Sequence, residues 1–204
     1  FFSAGQPFNA VKAEVRRFVR TPLAQLQPRK EVQFLTGLVT GIRVKLTGRG
    51  KVAFVTLDDG TAQQEVAVYS EVLDAERGKL REDEVLIVEG KVSKDDFAGE
   101  GKVRVSAERL LTLGEARGRF ARHLRLCLNG QLGAGSGKSA AAQRLRDLLA
   151  PFAPGNCPVR IAYDNGRARC ELQLGDEYRV RLEDDLLGTL ADWLAPDNVR
   201  IDYA

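Results

Sequence analysis

The chain has 204 residues, 31 Lys and Arg against 28 Asp and Glu, a formal charge of +3 and 44% hydrophobic residues. That is enough apolar material for one large or two small domains with their own cores, and it excludes a disordered chain or a general polycation. No apolar run approaches the roughly 20 residues that cross a bilayer, and Phe1-Phe2-Ser3-Ala4-Gly5 lacks the regions of a signal peptide.

Methionine is absent even at position 1, so the chain is expected to be a fragment or a processed product. Cys127, Cys157 and Cys170 are widely spaced and His123 is the only histidine, which argues against a zinc site and against a Ser-His-Asp or Cys-His triad. The expectation is reduced thiols, no metal, no cofactor and no catalytic residue. Charge is distributed unevenly. Residues 1–28 hold four cations and one acid, and the stretch Val32–Leu57 holds Arg43, Lys45, Arg49 and Lys51 with no acid at all. A local stripe of that kind suits phosphates while the remaining surface stays mixed.

In chain order, Asn9–Arg20 has the period of a short amphipathic helix, with Val11, Val15, Phe18 and Val19 on one side. Residues 1–30 as a whole read as the tail of a preceding domain plus a linker bracketed by Pro22 and Pro28. The period then changes to that of strands: Leu35–Leu46, Lys51–Leu57 ending in the turn Asp58-Asp59-Gly60, and Gln64–Tyr69. A helix follows over Ser70–Leu80, with Ser70 placed to cap it. Strands are expected again over Glu84–Ser93 and from Lys102 to Leu113. Three strands, a helix and two strands is the order of an OB-fold barrel over residues 31–113, with Gly37, Gly41 and Gly90 where long strands must bend.

Residues 114–204 read as a small α+β domain with mostly antiparallel pairing. The expected elements are a helix over Glu115–His123, a strand over Leu124–Leu128 and a helix over Ser139–Phe152. Strands at Val159–Tyr163, Ala168–Leu174 and Tyr178–Leu182, a helix over Asp184–Leu194 and a strand over Val199–Tyr203 follow. The overall fold class is an all-β OB-fold barrel followed by this small α+β domain.

Gly133-Ala-Gly-Ser-Gly-Lys138-Ser139 approaches a nucleotide-binding loop, with Lys138 and Ser139 as phosphate and metal ligands. The spacing fails, because position 132 is leucine where the motif needs glycine. The pairs Asp58-Asp59 and Asp95-Asp96 sit at turns and Asp184-Asp185 opens a helix, which accounts for them without two-metal chemistry. Phe54 is expected in the core, and Tyr69 is a candidate for stacking bases. On the last helix Leu186, Leu187, Leu190, Trp193 and Leu194 share one side, mainly for packing, with Trp193 a possible anchor for a partner.

Three stretches carry a family resemblance: Gly37-Leu-Val-Thr-Gly-Ile-Arg-Val-Lys45, Thr56-Leu-Asp-Asp-Gly60 and Leu86-Ile-Val-Glu-Gly-Lys-Val-Ser-Lys-Asp-Asp-Phe97. Together they resemble the OB domain of bacterial DNA polymerase III alpha subunits of the proteobacterial type. Phe2–Phe8 is similar to the segment leaving that family's fingers region, and residues 123–204 are similar to its C-terminal domain. The resemblance implies a non-catalytic part of a replicative polymerase in the cytoplasm. Its barrel is implied to contact single-stranded DNA, here through Arg43, Lys45, Arg49, Lys51, Tyr69, Lys94 and Lys102. Its last domain is implied to dock the clamp-loader tau subunit and so join the replisome, with Leu186, Trp193, Val199 and Tyr203 the candidate contacts. The insert Gly130–Gly137 departs from that family. Other expectations kept open are a small nucleotide hydrolase using Lys138 and Ser139, and a barrel that docks only protein.

Overall fold

The computed structural model describes residues 6–48, 50–95, 102–129, 138–164 and 166–203. It divides into two compact units, Phe1–Leu113 and Gly114–Ala204. Arg49 and residues Gly130–Gly137 lie outside the described residues.

The first unit opens with helix α1 (Gln6–Val15). It is shorter than the sequence period suggests: helical bonding ends with Val19 N–H on Val15 C=O, and the chain turns before Pro22. Strands β1 (Gln33–Thr47), β2 (Gly50–Asp58) and β3 (Gln63–Tyr69) follow. After them come helix α2 (Ser70–Glu76) and strands β4 (Val85–Lys94) and β5 (Val103–Thr112). The sheet closes into a barrel in the order β1-β2-β3-β5-β4, through a short parallel contact of Val66 with Val105 and Ala67 with Ser106. This is the five-stranded OB arrangement.

Strand alternation builds the interior. Leu35, Val39, Val55, Leu57, Val66, Val68, Leu86, Val88, Val105 and Leu110 point inward, and Leu73 of α2 joins the same core. The two long strands bend at bulges. The β1 register slips between Val39 and Gly41, and that of β4 between Glu89 and Gly90. At Gly90 a Cβ would lie 2.6 Å from the Ser106 carbonyl oxygen, so no larger residue lets the strands approach this closely. Ser70 is the first residue of α2 rather than its cap. The register of Tyr69 against Val52 keeps Tyr69 extended, which makes Tyr69 the capping position without a side-chain acceptor.

The β2–β3 turn is organised by carboxylates. Asp58 accepts from Gly60 N–H at 2.7 Å, and Gly60 takes φ +76, which glycine adopts without strain. Asp59 is buried and accepts from Thr61 N–H and Oγ1, from Ala62 N–H and from Leu23 N–H. The last of these bonds, 3.0 Å long, ties the segment before the barrel to its rim.

The second unit has helices α3 (Leu113–Phe120), α4 (Lys138–Leu149) and α5 (Asp184–Leu194). Its strands are β6 (Ala121–Asn129), β7 (Val159–Asp164), β8 (Arg169–Gln173) and β9 (Val199–Tyr203), in the sheet order β8-β7-β6-β9. Beta6 and β7 are parallel, joined through α4, and the two flanking pairs are antiparallel. His123 belongs to β6, not to the helix before it, and its Nε2 lies 2.8 Å from Asp202 Oδ2 across the β6–β9 pair.

The strand expected over Tyr178–Leu182 does not form. Residues 176–178 make a 3-10 turn, and Val180 makes only an isolated bridge to Cys157. The reason is where the backbone bonds go. Gly155 N–H donates to Arg179 C=O at 2.8 Å and Arg181 N–H to Phe152 C=O at 2.9 Å, so the segment is held by the loop after α4 instead of a neighbouring strand. Val180 and Leu182 are nonetheless buried, joining Leu124, Leu126, Val159, Leu186 and Leu190 in the second core.

Candidate nucleic-acid interface

Residues directly opposite in a β-ladder share a face. Arg43 pairs with Phe54 and Phe54 with Ala67, while Lys45 pairs with Val52 and Val52 with Tyr69. The register therefore gathers Arg43, Lys45, Phe54 and Tyr69 on one outer face of β1, β2 and β3. The parallel step from Ala67 to Ser106 extends that face to β5, where Arg104 lies two residues before Ser106. Lys91 of β4 is opposite Ser106 and completes it.

The contacts on this face combine cations with two aromatic rings. Lys45 Nζ lies 5.6 Å from the centroid of the Phe54 ring. Phe54 is half-buried on this outer face, while its neighbours Ala53 and Val55 point into the barrel, so it does not take the core position expected of it. Tyr69 is 41% exposed, and its hydroxyl accepts from Arg104 Nη2 at 2.8 Å. Arg43 pairs with Glu65, and Lys91 with Glu108 at 2.6 Å; all four groups remain exposed to water, so these pairs are weak.

The other sequence-level candidates fall elsewhere. Lys51 is opposite Leu46, on the reverse face of the hairpin, beside Val44 and Leu46 at 57% and 81% exposure. Lys94 is opposite Val103 at the end of the β4–β5 pair, one strand position off the face of Arg104, and exposed Lys102 precedes β5, two residues before Arg104. Arg104 and Lys91 are additions that the one-dimensional basic stripe did not reveal. The alternation Arg104, Ser106, Glu108 against Val103, Val105, Ala107 is the signal that finds Arg104.

In the second unit, Leu186 is fully buried and offers no surface to a partner, which corrects its assignment as a contact residue. Trp193, Val199 and Tyr203 are half-buried and packed on the same core. The Arg144 guanidinium lies 5.2 Å from the Trp193 ring centroid, between α4 and α5. Lys138 opens α4, and the glycine-rich residues before it lie outside the described residues. Asp164 is engaged by Gly166 N–H at 2.8 Å and Arg169 Nε at 2.6 Å. The Gly166 bond and the Arg169 guanidinium hold its carboxyl below the usual carboxylate range. Among the described residues no cluster of three His, Cys, Asp or Glu side chains could hold a metal, and no helix is long and apolar enough to cross a membrane.

A closed five-stranded barrel with this face has the architecture of an OB-fold nucleic-acid-binding domain, and residues 34–113 match the family model described in those words. Residues 144–194 match a second model, the C-terminal domain of DNA polymerase III subunit alpha. The chain belongs to the DNA polymerase III alpha family, to whose C-terminal region it corresponds. It is 37% identical to the Pseudomonas aeruginosa DNA polymerase III subunit alpha over 99% of its own length. The corresponding Neisseria meningitidis serogroup B subunit is 35% identical over 100% of the chain, and that of Escherichia coli K12 is 32% identical over 99%. In each case the chain spans 17% of the relative's length. A solved structure of the second OB-fold domain of replication protein A from Methanococcus maripaludis overlaps 46% of this chain and 93% of its own, at 15% identity and a TM-score of 0.35. The barrel assignment stands on the strand order and the family match and not on that overlap.

Proposed function

We propose that this chain is a binding, non-catalytic part of a replicative DNA polymerase, and that its barrel holds single-stranded DNA on the face of Arg43, Lys45, Phe54, Tyr69 and Arg104. The observation that carries this reading is the ladder register, which puts cations from β1 and β5 on both sides of an exposed tyrosine. Phosphates would meet the cations, and a base would lie on the Tyr69 ring. Neither contact reads sequence, so binding is indifferent to base order and falls steeply with salt.

The test is a fluorescence-anisotropy titration of labelled oligo-dT with the chain at low and moderate salt. Arg43→Glu with Lys45→Glu should weaken binding and flatten its salt dependence, circular dichroism confirming the fold. Unchanged affinity would leave the barrel as a protein dock.

The second unit, on this reading, docks the clamp-loader tau subunit and so holds the polymerase in the replisome, in the cytoplasm. What supports it is the match of residues 144–194 to the family's C-terminal domain, together with half-buried Trp193 beneath Arg144. Trp193→Ala should weaken capture by immobilised tau while the far-ultraviolet spectrum is retained. Full capture by that variant would move the contact off α5. Lys138→Ala tests the hydrolase alternative, which requires ATP turnover by the unmodified chain.

A further inference from the structure

A cleft of about 270 Å³ in the first unit lies apart from the Tyr69 face. Its lining includes Lys12, Arg16 and Arg20 from α1 and the turn after it, Thr36 of β1, and Asp59 of the β2–β3 turn. The three cations are spaced four residues apart, and Val15 and Val19, both buried, anchor the segment that presents them. Arg16 and Arg20 are exposed and make no ion pair among the described residues.

One acid, Asp59, shares the lining, and its carboxylate is turned to neutral donors of the chain. The Asp59 carboxylate already accepts from three backbone N–H groups and the Thr61 hydroxyl, all within 3.1 Å. The Thr36 hydroxyl is buried in the wall without a hydrogen-bond partner among the described residues. Lys12, Arg16 and Arg20 against the single Asp59 leave the lining with a net positive charge, which suits an anion.

We propose that this cleft binds a phosphodiester group of single-stranded DNA, at a point distinct from the Tyr69 face. Lys12, Arg16 and Arg20 meet its charge. Thr36 and Arg43 are seven residues apart on β1, about 23 Å along a strand. A single strand several nucleotides long spans that distance, within the site sizes found for OB barrels. The choice of DNA rests on the proposed function; the anion site itself rests on the cleft.

The experiment combines two readouts on the whole chain. In the first, anisotropy titrations of a labelled 15-nucleotide oligo-dT at several salt concentrations compare the chain with Arg16→Gln/Arg20→Gln and, separately, with Arg43→Gln/Lys45→Gln. Loss of two phosphate contacts should make the slope of log affinity against log salt shallower by about 1.4. In the second, backbone amide shifts of Thr21 and Thr36 are followed by NMR with oligo-dT, inorganic phosphate and poly-glutamate as probes. The expected result is a shallower slope in the Arg16/Arg20 variant and movement of both amides with oligo-dT. An unchanged slope there, while the Arg43/Lys45 variant loses affinity, overturns the cleft and leaves the barrel face standing. Loss only in the Arg16/Arg20 variant does the reverse. Amides that respond to poly-glutamate or inorganic phosphate but not to oligo-dT overturn it in favour of an acidic protein segment or a free anion.

Discussion

The Tyr69 hydroxyl accepts a hydrogen bond from Arg104 Nη2 at 2.8 Å, joining the end of β3 to β5 across the outer face of the barrel. The donor is charged, so the bond is of the stronger kind, and it fixes the ring while leaving 41% of the residue exposed. A base stacked there would also have the Arg104 charge within reach of its phosphate.

Tyr69→Ala should therefore weaken oligo-dT binding by about 1–3 kcal/mol, the usual worth of one base–aromatic stack. That is roughly 5- to 150-fold in affinity. Tyr69→Phe keeps the ring and should retain most of the binding. Anisotropy at fixed low salt separates the two, and a Tyr69→Ala variant as tight as the parent would show that no base lies on the ring.

The barrel was largely legible in the sequence because strand period, turn chemistry and the order of elements agree there. Asp58-Asp59-Gly60 marks its hairpin, and Gly90 marks its bulge. The proposed DNA-binding face was legible only in part. Arg43 and Lys45 are adjacent in a basic stripe, but Arg104 is brought beside Tyr69 by the closure of β5 on β3, a contact 35 residues long in sequence. Lys51 fell in the same stripe and yet lies on the reverse face, since one residue of register flips a side chain across the sheet. In the second unit, Val180 and Leu182 alternate as a strand does. Their burial follows that pattern, while the backbone bonds that would define a strand go to the loop at Phe152–Cys157, which no local pattern announces.

Asp59 should make the first unit sensitive to acid. Burial pushes its carboxyl up. The Thr61 hydroxyl and the N–H groups of Leu23, Thr61 and Ala62 outweigh that and bring it below the ordinary carboxylate value. A folded pKa lower than the unfolded one gives stability that is present above the unfolded value and lost as pH falls through the folded value. Asp59→Asn should cost about 1–3 kcal/mol at neutral pH, because it disturbs a buried acceptor with several donors. The gap between variant and parent in urea denaturation should close as pH drops below about 4. A gap of the same size at pH 3 and pH 7 would show that the charge is irrelevant.

Two glycines should respond in opposite directions to the same change. A Cβ at Gly90 would strike the Ser106 carbonyl oxygen at 2.6 Å, backbone that cannot move without opening the β4–β5 pair. Gly90→Ala should destabilise by about 1–3 kcal/mol, as overpacking does. Gly188 lies inside α5, is exposed, and a Cβ there meets nothing within 4 Å. Gly188→Ala should stabilise by about 0.5–1 kcal/mol, because alanine loses less backbone freedom on entering a helix. Thermal denaturation of the two variants gives both signs, and a loss of stability at Gly188 would mean that α5 is covered there.

The cysteines offer a direct probe of the second core. Burial pushes the Cys157 thiol up to about 11, against the smaller opposing effects of the Leu124 backbone and the Arg179 charge, and the residue is 1% exposed. At pH 7.5 its reactive thiolate is a minor species of roughly one part in a few thousand, and a reagent has no access to it. Cys170 is exposed on β8. A disulfide exchange reagent at that pH should therefore consume Cys170 quickly, with Cys157 reacting only as the unit unfolds. In Cys127→Ser/Cys170→Ser, which also removes the half-buried third thiol, the fast phase should disappear, and the Cys157 rate should then rise with urea in step with the loss of far-ultraviolet signal. Rapid reaction of Cys157 without denaturant would mean that the bridge between Cys157 and Val180 opens on its own, and that the loop holding residues 179–182 is not the anchor their backbone bonds make it.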